Sequence, residues 1–183
     1  MARAPRSAPP RLAHRILGID PGSRFTGYGI IDTDGHHSRR VASGCIRVDK
    51  APWPDRLRLI FDEVEQLVLD HRPHELAVEQ LIFARDPSAA LKLGQARGAA
   101  LCAALRGELS VHEYSPKSVK LAVVGTGGAQ KSQVQHMVQI LLSMDTPPGE
   151  DEADALAIAL CHAHSMGIPG RKRMAASWRD WRP

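Results

Sequence analysis

Two acidic residues stand at the ends of short apolar runs. Asp20 follows the run at 16–19, and Glu79 follows the run at 76–78. A carboxylate at the tip of a buried strand costs desolvation free energy unless a partner compensates it. One such residue is often only part of a turn. Two of them, on strands that could be neighbours, indicate a shared cation site.

A second pair of acids begins an apolar stretch near the end of the chain. Asp151 and Asp154 are three residues apart and share one helix face, whereas Glu152 points elsewhere. Acids in a first helical turn also stabilise the helix dipole, by about 0.3–1 kcal/mol each, which is an alternative explanation of the cluster. It does not explain Asp154, which lies among alanine and leucine at the start of an apparently buried helix.

Four converging carboxylates would repel one another unless divalent cations lay between them. Oxygen ligands select hard cations such as Mg²⁺ or Mn²⁺. Two such ions about 3.5–4 Å apart are the apparatus for in-line displacement at phosphate. The four acids therefore indicate phosphoryl chemistry that depends on two metal ions.

Alternating strand and helix patterns position these acids. Apolar runs at 16–20 and 27–31, separated by Pro-Gly-Ser, predict a hairpin, and 41–48 predicts a third strand. Further strands are predicted at 76–79 and 111–114. Helices are predicted at 55–70, 87–105, from Pro116 behind a Ser115 cap, at 131–144 and at 151–166. This order predicts an α/β architecture, a mixed sheet covered by helices.

Charge is concentrated at the two ends of the chain. The 183 residues are 43% hydrophobic and 24% charged, with a formal net charge of +4. Residues 1–15 hold four arginines and no acid, and 171–183 is similarly basic, so the body between them is acidic overall. We predict a disordered basic arm at 1–15, one domain at 16–166 and a basic tail at 167–183.

Several protein classes are excluded by composition. No apolar run approaches the ~20 residues of a membrane span, and the start has no signal-peptide core. The three cysteines form no CxxC pair, which argues against a disulfide scaffold or a zinc ribbon. We expect a cytoplasmic protein.

Five motifs resemble the RuvC family of bacterial Holliday-junction resolvases, and together they cover roughly residues 16–165. They are ILGIDPGSR with TGYG at 16–29, VEQ at 78–80, ALKLGQARG at 90–98, KSQVQHM at 131–137 and DxxDALAIA at 151–159.

The resemblance implies a ribonuclease-H-like mixed five-stranded sheet flanked by helices, in a homodimer that makes paired nicks in four-way DNA junctions during recombination and repair. It implies that Asp20 bridges two Mg²⁺ ions, with Mn²⁺ as a substitute, while Glu79, Asp151 and Asp154 complete the ligand shells. The expected products carry a 5′-phosphate, because one ion helps to make hydroxide and the other stabilises the leaving 3′ oxygen. RuvA and RuvB are the partners that the family implies.

Basic residues near the motifs are candidates for DNA contact. Lys131 and Lys120 match basic positions of the family, and Lys117 lies on the same short helix as Lys120. Each would hold backbone phosphate, and the first two could stabilise transition-state charge. The alternative for each is a solvated surface lysine. Arg24 and Arg85 are further candidate phosphate contacts.

The segment after Glu79 is expected to form the rim of the cleft. Relatives commonly have an aromatic residue three positions after the glutamate, where it stacks on an unpaired base. Here Ile82 holds that position and Phe83 follows. Either Phe83 stacks or Ile82 acts as an apolar wedge; a core position for Phe83 is the alternative.

Three alternative functions share features with this sequence. The segment 125–132 is similar to a phosphate-binding P-loop, but Gln130 replaces its second glycine. The segment 18–27 resembles the first phosphate hairpin of actin-like and sugar-kinase ATPases, which need a second domain. A junction-binding protein without activity is disfavoured by the intact set of acids, because acids beside DNA phosphates repel unless metals intervene.

Two further patterns carry structural expectations. His162 and His164 are two residues apart, on different helix faces, and are interpreted as ordinary helix-end residues rather than ligands of a transition metal. His112 and His136 are likewise not predicted to bind a metal. Gly94, Gly98 and Cys102 form a small-residue stripe. Its spacing favours packing on the chain's own sheet, while the family resemblance favours a dimer helix.

Overall fold

Five strands and five helices follow one another much as the sequence predicts. The computed structural model describes residues 14–81 and 86–166. The strands are β1 (His14–Asp20), β2 (Phe25–Thr33), β3 (Ser38–Arg47), β4 (Glu75–Glu79) and β5 (Ser110–Tyr114). The helices are α1 (Trp53–His71), α2 (Pro87–Arg106), α3 (Pro116–Val124), α4 (Lys131–Leu141) and α5 (Glu150–Met166). All ten predicted elements are present; β1 begins two residues earlier than expected, and α4 ends three residues earlier.

The predicted arm up to residue 13, the predicted tail from 167, and the candidate contacts Ile82, Phe83 and Arg85 lie outside the described residues.

The strands form one mixed sheet in the order β3-β2-β1-β4-β5. The first three are antiparallel neighbours, whereas β4 runs parallel to β1 and β5 runs parallel to β4. Ile19 pairs with Val78 between β1 and β4, so each strand reaches its acid at the next residue. Asp20 and Glu79 therefore lie at the same end of the sheet, on neighbouring strands.

Helices cover both faces of the sheet. Side chains alternate along β1, so Ile16 joins a core with α3, α4 and α5, while Leu17 joins a second core with α1 and α2. Helix α5 is buried over most of its length and is rich in alanine. Within the described part of the chain, no helix is long and apolar enough to cross a membrane.

Glycines in β1 and β2 bring α5 unusually close to the sheet. A Cβ added at Gly18 would lie 2.2 Å from the carbonyl oxygen of Ala155, and one at Gly27 would lie 1.9 Å from that of Asp151. Only a residue without a side chain leaves room for the helix backbone at these two places. The start of α5, with its acids, is therefore seated directly on β2.

The small-residue stripe of α2 faces open space instead. A Cβ added at Gly94 or Gly98 would meet nothing within 4 Å among the described residues, and Cys102 is exposed. The expectation from spacing, that this stripe packs on the chain's own sheet, is therefore wrong. The sheet-facing side of α2 is formed by other residues, among them Ala96, Ala100 and Ala103.

An ion pair fastens the start of β1. The Arg15 guanidinium donates two hydrogen bonds to the Asp32 carboxylate, at 2.7 and 2.9 Å, and a third to the carbonyl of His71 at 2.8 Å. The hydrogen bonds from Arg15 to the Asp32 carboxylate lower the pKa of Asp32 below its ordinary value. The first strand is thus joined to β2 and to the end of α1.

Candidate active site

The four predicted acids come together at one end of the sheet, where β1 and β4 finish. Asp20 ends β1, Glu79 ends β4, and Asp151 and Asp154 lie in the first turns of α5. Burial and then the charges of Glu79, Asp154 and Asp151 raise the pKa of Asp20 to about 7. Asp20 pairs with Gly27 of β2, on which the backbone of Asp151 lies, and Glu79 ends the strand on the other side of β1. Asp20 therefore lies between the acids of α5 and Glu79.

The same crowding affects two other members of the cluster. Burial and the charge of Asp154 raise the pKa of Glu79. Burial also raises the pKa of Asp154, against the opposing effect of a hydrogen bond from Lys131. The protein therefore collects carboxylates where their ionised forms are destabilised, which is the electrostatic environment that a cation relieves.

Lys131 supplies a positive charge to this cluster. Its Nζ lies 2.8 Å from Asp154 Oδ2 and 2.6 Å from Glu150 Oε1. Partial burial lowers the pKa of Lys131, but the bonds to Asp154 and Glu150 outweigh burial and raise it. The ammonium group thus forms an ion pair with Asp154. Its second partner is Glu150, which the sequence analysis did not single out.

The other candidate basic residues differ in their distance from the acids. Lys120 lowers the pKa of Glu79, which places its charge beside the cluster. Lys117 is exposed, and its methylenes lie against Gly127. Arg24 is also exposed, with its guanidinium 5.6 Å from the centre of the Phe25 ring. The structure therefore brings Lys120 and Lys131 to the acids and leaves the other two on the surrounding surface.

A cleft opens beside two of the acids. It is lined by Asp20, Pro21, Glu79, Gln80, Leu81, Leu93 and Pro116. The acids therefore meet solvent from one side, where a large substrate can approach.

Arg97 holds the strand end that carries Glu79, and sequence reasoning missed it. This arginine is 7% exposed, donates through Nη1 to the main-chain carbonyl of Glu79, and donates through Nη2 to Glu113 Oε1 at 2.5 Å. Its signal in the sequence is a charged residue on the alanine-rich face of α2, between Ala96 and Ala100. A buried charge at such a position needs partners, and here one partner is the backbone of the site.

Three polar contacts orient the first turn of α5. The Cys45 thiol donates to Asp151 Oδ2 at 3.6 Å, and burial and the charge of Asp151 raise the pKa of that thiol to about 11. Glu152 accepts from Ser43 Oγ at 2.6 Å and from the Gly149 amide at 3.0 Å. Glu152 thus points away from the cluster, as predicted, and binds the helix to β3.

The histidines are not all ordinary helix-end residues. His164 fits that description, with its Nδ1 3.1 Å from the carbonyl oxygen of Ala122. His162 is 2% exposed, and its Nε2 contacts Glu75 Oε2. The interpretation of His162 as an ordinary helix-end residue was therefore wrong, because β4 brings a carboxylate to that helix position.

Comparison with known proteins agrees with this geometry. The family model described as crossover junction endodeoxyribonuclease RuvC matches residues 16–162. The chain belongs to the RuvC family. Membership places it among the crossover junction endodeoxyribonucleases, the enzyme class that the motifs predict. The match includes all four acids together with Lys120 and Lys131.

Relatives and solved structures support the assignment over most of the chain. The RuvC crossover junction endodeoxyribonuclease of Marinobacter nauticus is 59% identical over 149 residues, covering 81% of this chain and 85% of its own. The structure of Thermus thermophilus RuvC in complex with Holliday junction substrate is 34% identical, with a TM-score of 0.80, and covers 84% of this chain and 95% of its own. The mixed sheet is therefore the ribonuclease-H-like sheet of RuvC.

A more distant protein shares the fold. The yeast mitochondrial Holliday junction resolvase Ydc2 has a TM-score of 0.60 at 14% identity, covering 82% of this chain and 79% of its own. At that identity the likeness concerns the arrangement of strands and helices alone.

Proposed function

We propose that this RuvC-family protein resolves four-way DNA junctions by hydrolysing one phosphodiester in each of two symmetry-related strands, at Asp20, Glu79, Asp151 and Asp154. The observation that carries the proposal is the convergence of the four acids: Asp20 and Glu79 end neighbouring parallel strands, and the start of α5 lies against Gly27, the residue that pairs with Asp20. The proposed products carry a 5′-phosphate.

The residues fit a pair of hard divalent cations. Every predicted ligand is a carboxylate, the donor type that suits Mg²⁺ and Mn²⁺. The ammonium of Lys131 lies 2.8 Å from one Asp154 oxygen, which supports a place for positive charge beside this acid. When bound, such ions supply an activated water and stabilise the leaving oxygen. Asp20, at the centre of the acids, is the proposed shared ligand.

The surrounding residues have separate tasks in this proposal. Arg97 keeps the end of β4 in place, so that Glu79 is held rigidly beside Asp20. Lys131 exchanges its bond with Asp154 for a phosphate of the DNA while Glu150 keeps the lysine within reach. Lys120 contacts phosphate on the side of Glu79. Each contact positions the scissile phosphate without reading sequence.

The partners of the proposed enzyme follow from its substrate and its surface. A junction of approximate two-fold symmetry suits a homodimer with two identical sites. The open face of α2 at Gly94 and Gly98 supports a role for this helix in the dimer. RuvA and RuvB are proposed through the family alone, as is a cytoplasmic location, where such an enzyme would meet recombining DNA. Lys117 and Arg24, with Ile82, Phe83 and Arg85 outside the described residues, remain candidate DNA contacts.

The test is cleavage of an end-labelled four-way junction beside a linear duplex of the same sequences, in Mg²⁺, Mn²⁺ or EDTA. The wild-type chain should nick the junction symmetrically, only with metal, and spare the duplex. Asp20→Asn should bind the junction in low salt but lose cleavage. Asp145→Asn is the matched control, an exposed acid shortly before the same helix, and it should cleave like wild type.

Two results would count against the proposal. Full activity of Asp20→Asn would exclude the assigned site. Tight junction binding by the wild-type chain without nicks in either metal would favour a junction-binding protein without activity.

A further inference from the structure

A second group of titratable side chains lies at the opposite end of the sheet from the acids. Glu75 begins β4, whereas Glu79 ends it, a separation of about 13 Å along a strand. His162 follows Asp151 by eleven residues on α5, or about 16 Å along a helix. The group that contains Glu75 and His162 is therefore separate from the proposed catalytic site.

Three of its side chains converge on one another. His162 Nε2 contacts Glu75 Oε2, and His112 Nε2 lies 3.4 Å from the same oxygen. One ligand atom from each of these three residues lies within 4.8 Å of the other two. The imidazole rings of His112 and His162 are stacked, with centroids 4.3 Å apart. These residues come from β4, β5 and α5, so the fold rather than local sequence brings them together.

The spacing suits a transition-metal ion. Ligand atoms about 2.0–2.2 Å from a tetrahedral Zn²⁺ lie about 3.3–3.5 Å from one another. The separation of His112 Nε2 from Glu75 Oε2 falls in that range. His162 Nε2 and Glu75 Oε2 are closer than this range, so these two side chains would separate to admit an ion between them.

The far side of the His162 ring is already engaged, as it is in many metal-bound histidines. Its Nδ1 lies 2.6 Å from the Tyr114 hydroxyl, which lies 3.0 Å from Ser165 Oγ. Ser165 Oγ in turn donates to the carbonyl of Cys161 at 2.8 Å. If Nδ1–H donates to Tyr114, the hydroxyl can donate to Ser165, and Nε2 is left with a lone pair directed at Glu75.

A fourth side chain lies at the margin of this group. His14 Nε2 is 3.7 Å from Glu75 Oε2. It is a buried nitrogen that makes no hydrogen bond within residues 14–81 and 86–166. A metal ion would satisfy it, because imidazole nitrogen is a good ligand for Zn²⁺.

We propose that Glu75, His112 and His162, with His14 as the fourth ligand, bind one Zn²⁺-class ion that ties α5 to β1, β4 and β5. The set of imidazoles and one carboxylate favours Zn²⁺, Co²⁺ or Ni²⁺ over Mg²⁺. The site is structural, since it lies far from the acids and joins the first strand of the sheet to its last helix. It therefore differs from the proposed catalytic site in both ligands and task.

The probe is Co²⁺, whose visible absorption reports tetrahedral nitrogen and oxygen coordination. The full chain carries Asp20→Asn and Asp154→Asn in every sample, so that the carboxylate site does not compete. This background protein should bind one Co²⁺ with a tetrahedral spectrum, and Zn²⁺ should displace it. Adding Glu75→Gln or His112→Gln should weaken binding by at least about 100-fold, while His136→Gln, an exposed histidine of α4, should leave it unchanged.

Thermal unfolding gives an independent readout. Zn²⁺ should raise the Tm of the background protein, because a ligand that binds only the folded state stabilises it. The increase should disappear with Glu75→Gln and shrink with His14→Gln, which changes only the first residue of β1. The proposal is overturned if the background protein binds neither ion, if its Tm is unmoved by Zn²⁺, or if Co²⁺ binding survives both Glu75→Gln and His112→Gln.

Discussion

Replacing Gly27 by alanine tests whether close packing of α5 on β2 positions the acids. The new Cβ would lie 1.9 Å from the carbonyl oxygen of Asp151, whereas ordinary contact begins at about 3.4 Å. The first turn of α5 must therefore move back by about 1.5 Å, because the atom in the way belongs to the backbone and cannot rotate aside. Asp151 and Asp154 move with it, away from Asp20 and Glu79.

The expected effect on catalysis is large compared with the effect on folding. Misplacement of a reacting group by about 1 Å can cost about 100-fold in rate, so cleavage should fall by at least that factor at saturating Mg²⁺. Overpacking of this kind lowers the free energy of unfolding by about 1–3 kcal/mol. The variant should stay folded and should bind the junction in low salt while cutting it poorly.

The assay is single-turnover cleavage of a labelled junction over a range of Mg²⁺ concentrations, together with urea denaturation of the same samples. Gly149→Ala is the matched control, because its Cβ would come no closer than 3.8 Å to Glu152 Oε2, just before the same helix. That exposed position should change stability by no more than about 0.5 kcal/mol and leave cleavage intact. A folded Gly27→Ala protein that cleaves at the wild-type rate would refute the reasoning.

Three further substitutions probe contacts around the acids and the first strand. Lys131→Met should slow cleavage by about 10–100-fold and weaken junction binding less, because the substitution removes a charge beside the reacting phosphate. Equal losses of cleavage rate and of binding affinity would show that Lys131 is a simple phosphate contact. Arg97→Lys should lower the free energy of unfolding in urea by about 1–3 kcal/mol and reduce cleavage, because a single ammonium cannot donate to both Glu79 and Glu113 as the guanidinium does. An unchanged free energy of unfolding and an unchanged cleavage rate would contradict this. Asp32→Asn should lower the free energy of unfolding by about 1.5–3 kcal/mol at pH 7. The difference from wild type should shrink below about pH 4, because a carboxyl with a lowered pKa loses its stabilising contribution as it is protonated. A difference independent of pH in urea titrations would argue against the ion pair.

Three of the four acids were predictable because each one interrupts an apolar pattern. Asp20 and Glu79 end short apolar runs, and Asp154 stands on the apolar face of a helix, so each would be costly without a common purpose. The topology then brings Asp20 and Glu79 together, since β1 and β4 are parallel neighbours and end side by side. The fold class followed from the same alternation of strands and helices.

The missed residues depend on neighbours that are distant in sequence. Arg97 contacts Glu113 on β5 and the main chain at the end of β4, and its local sequence does not indicate either partner. His162 meets Glu75 across 87 positions. Periodicity shows which face of a helix is buried, but it does not show which strand lies beneath that face. The open side of Gly94 was misjudged from spacing for the same reason.

The seat of α5 on β1 and β2 also has a consequence for the order of synthesis. Strand β1 is made first among the described elements and α5 last, yet Gly18 lies against Ala155. While a ribosome is still translating the middle of the chain, the hairpin of β1 and β2 can form, but its face for α5 stays bare. Two of the four acids are likewise missing until that helix emerges. A nascent chain therefore lacks the assembled cluster of acids, and the exposed sheet face is the surface that a chaperone would meet before release.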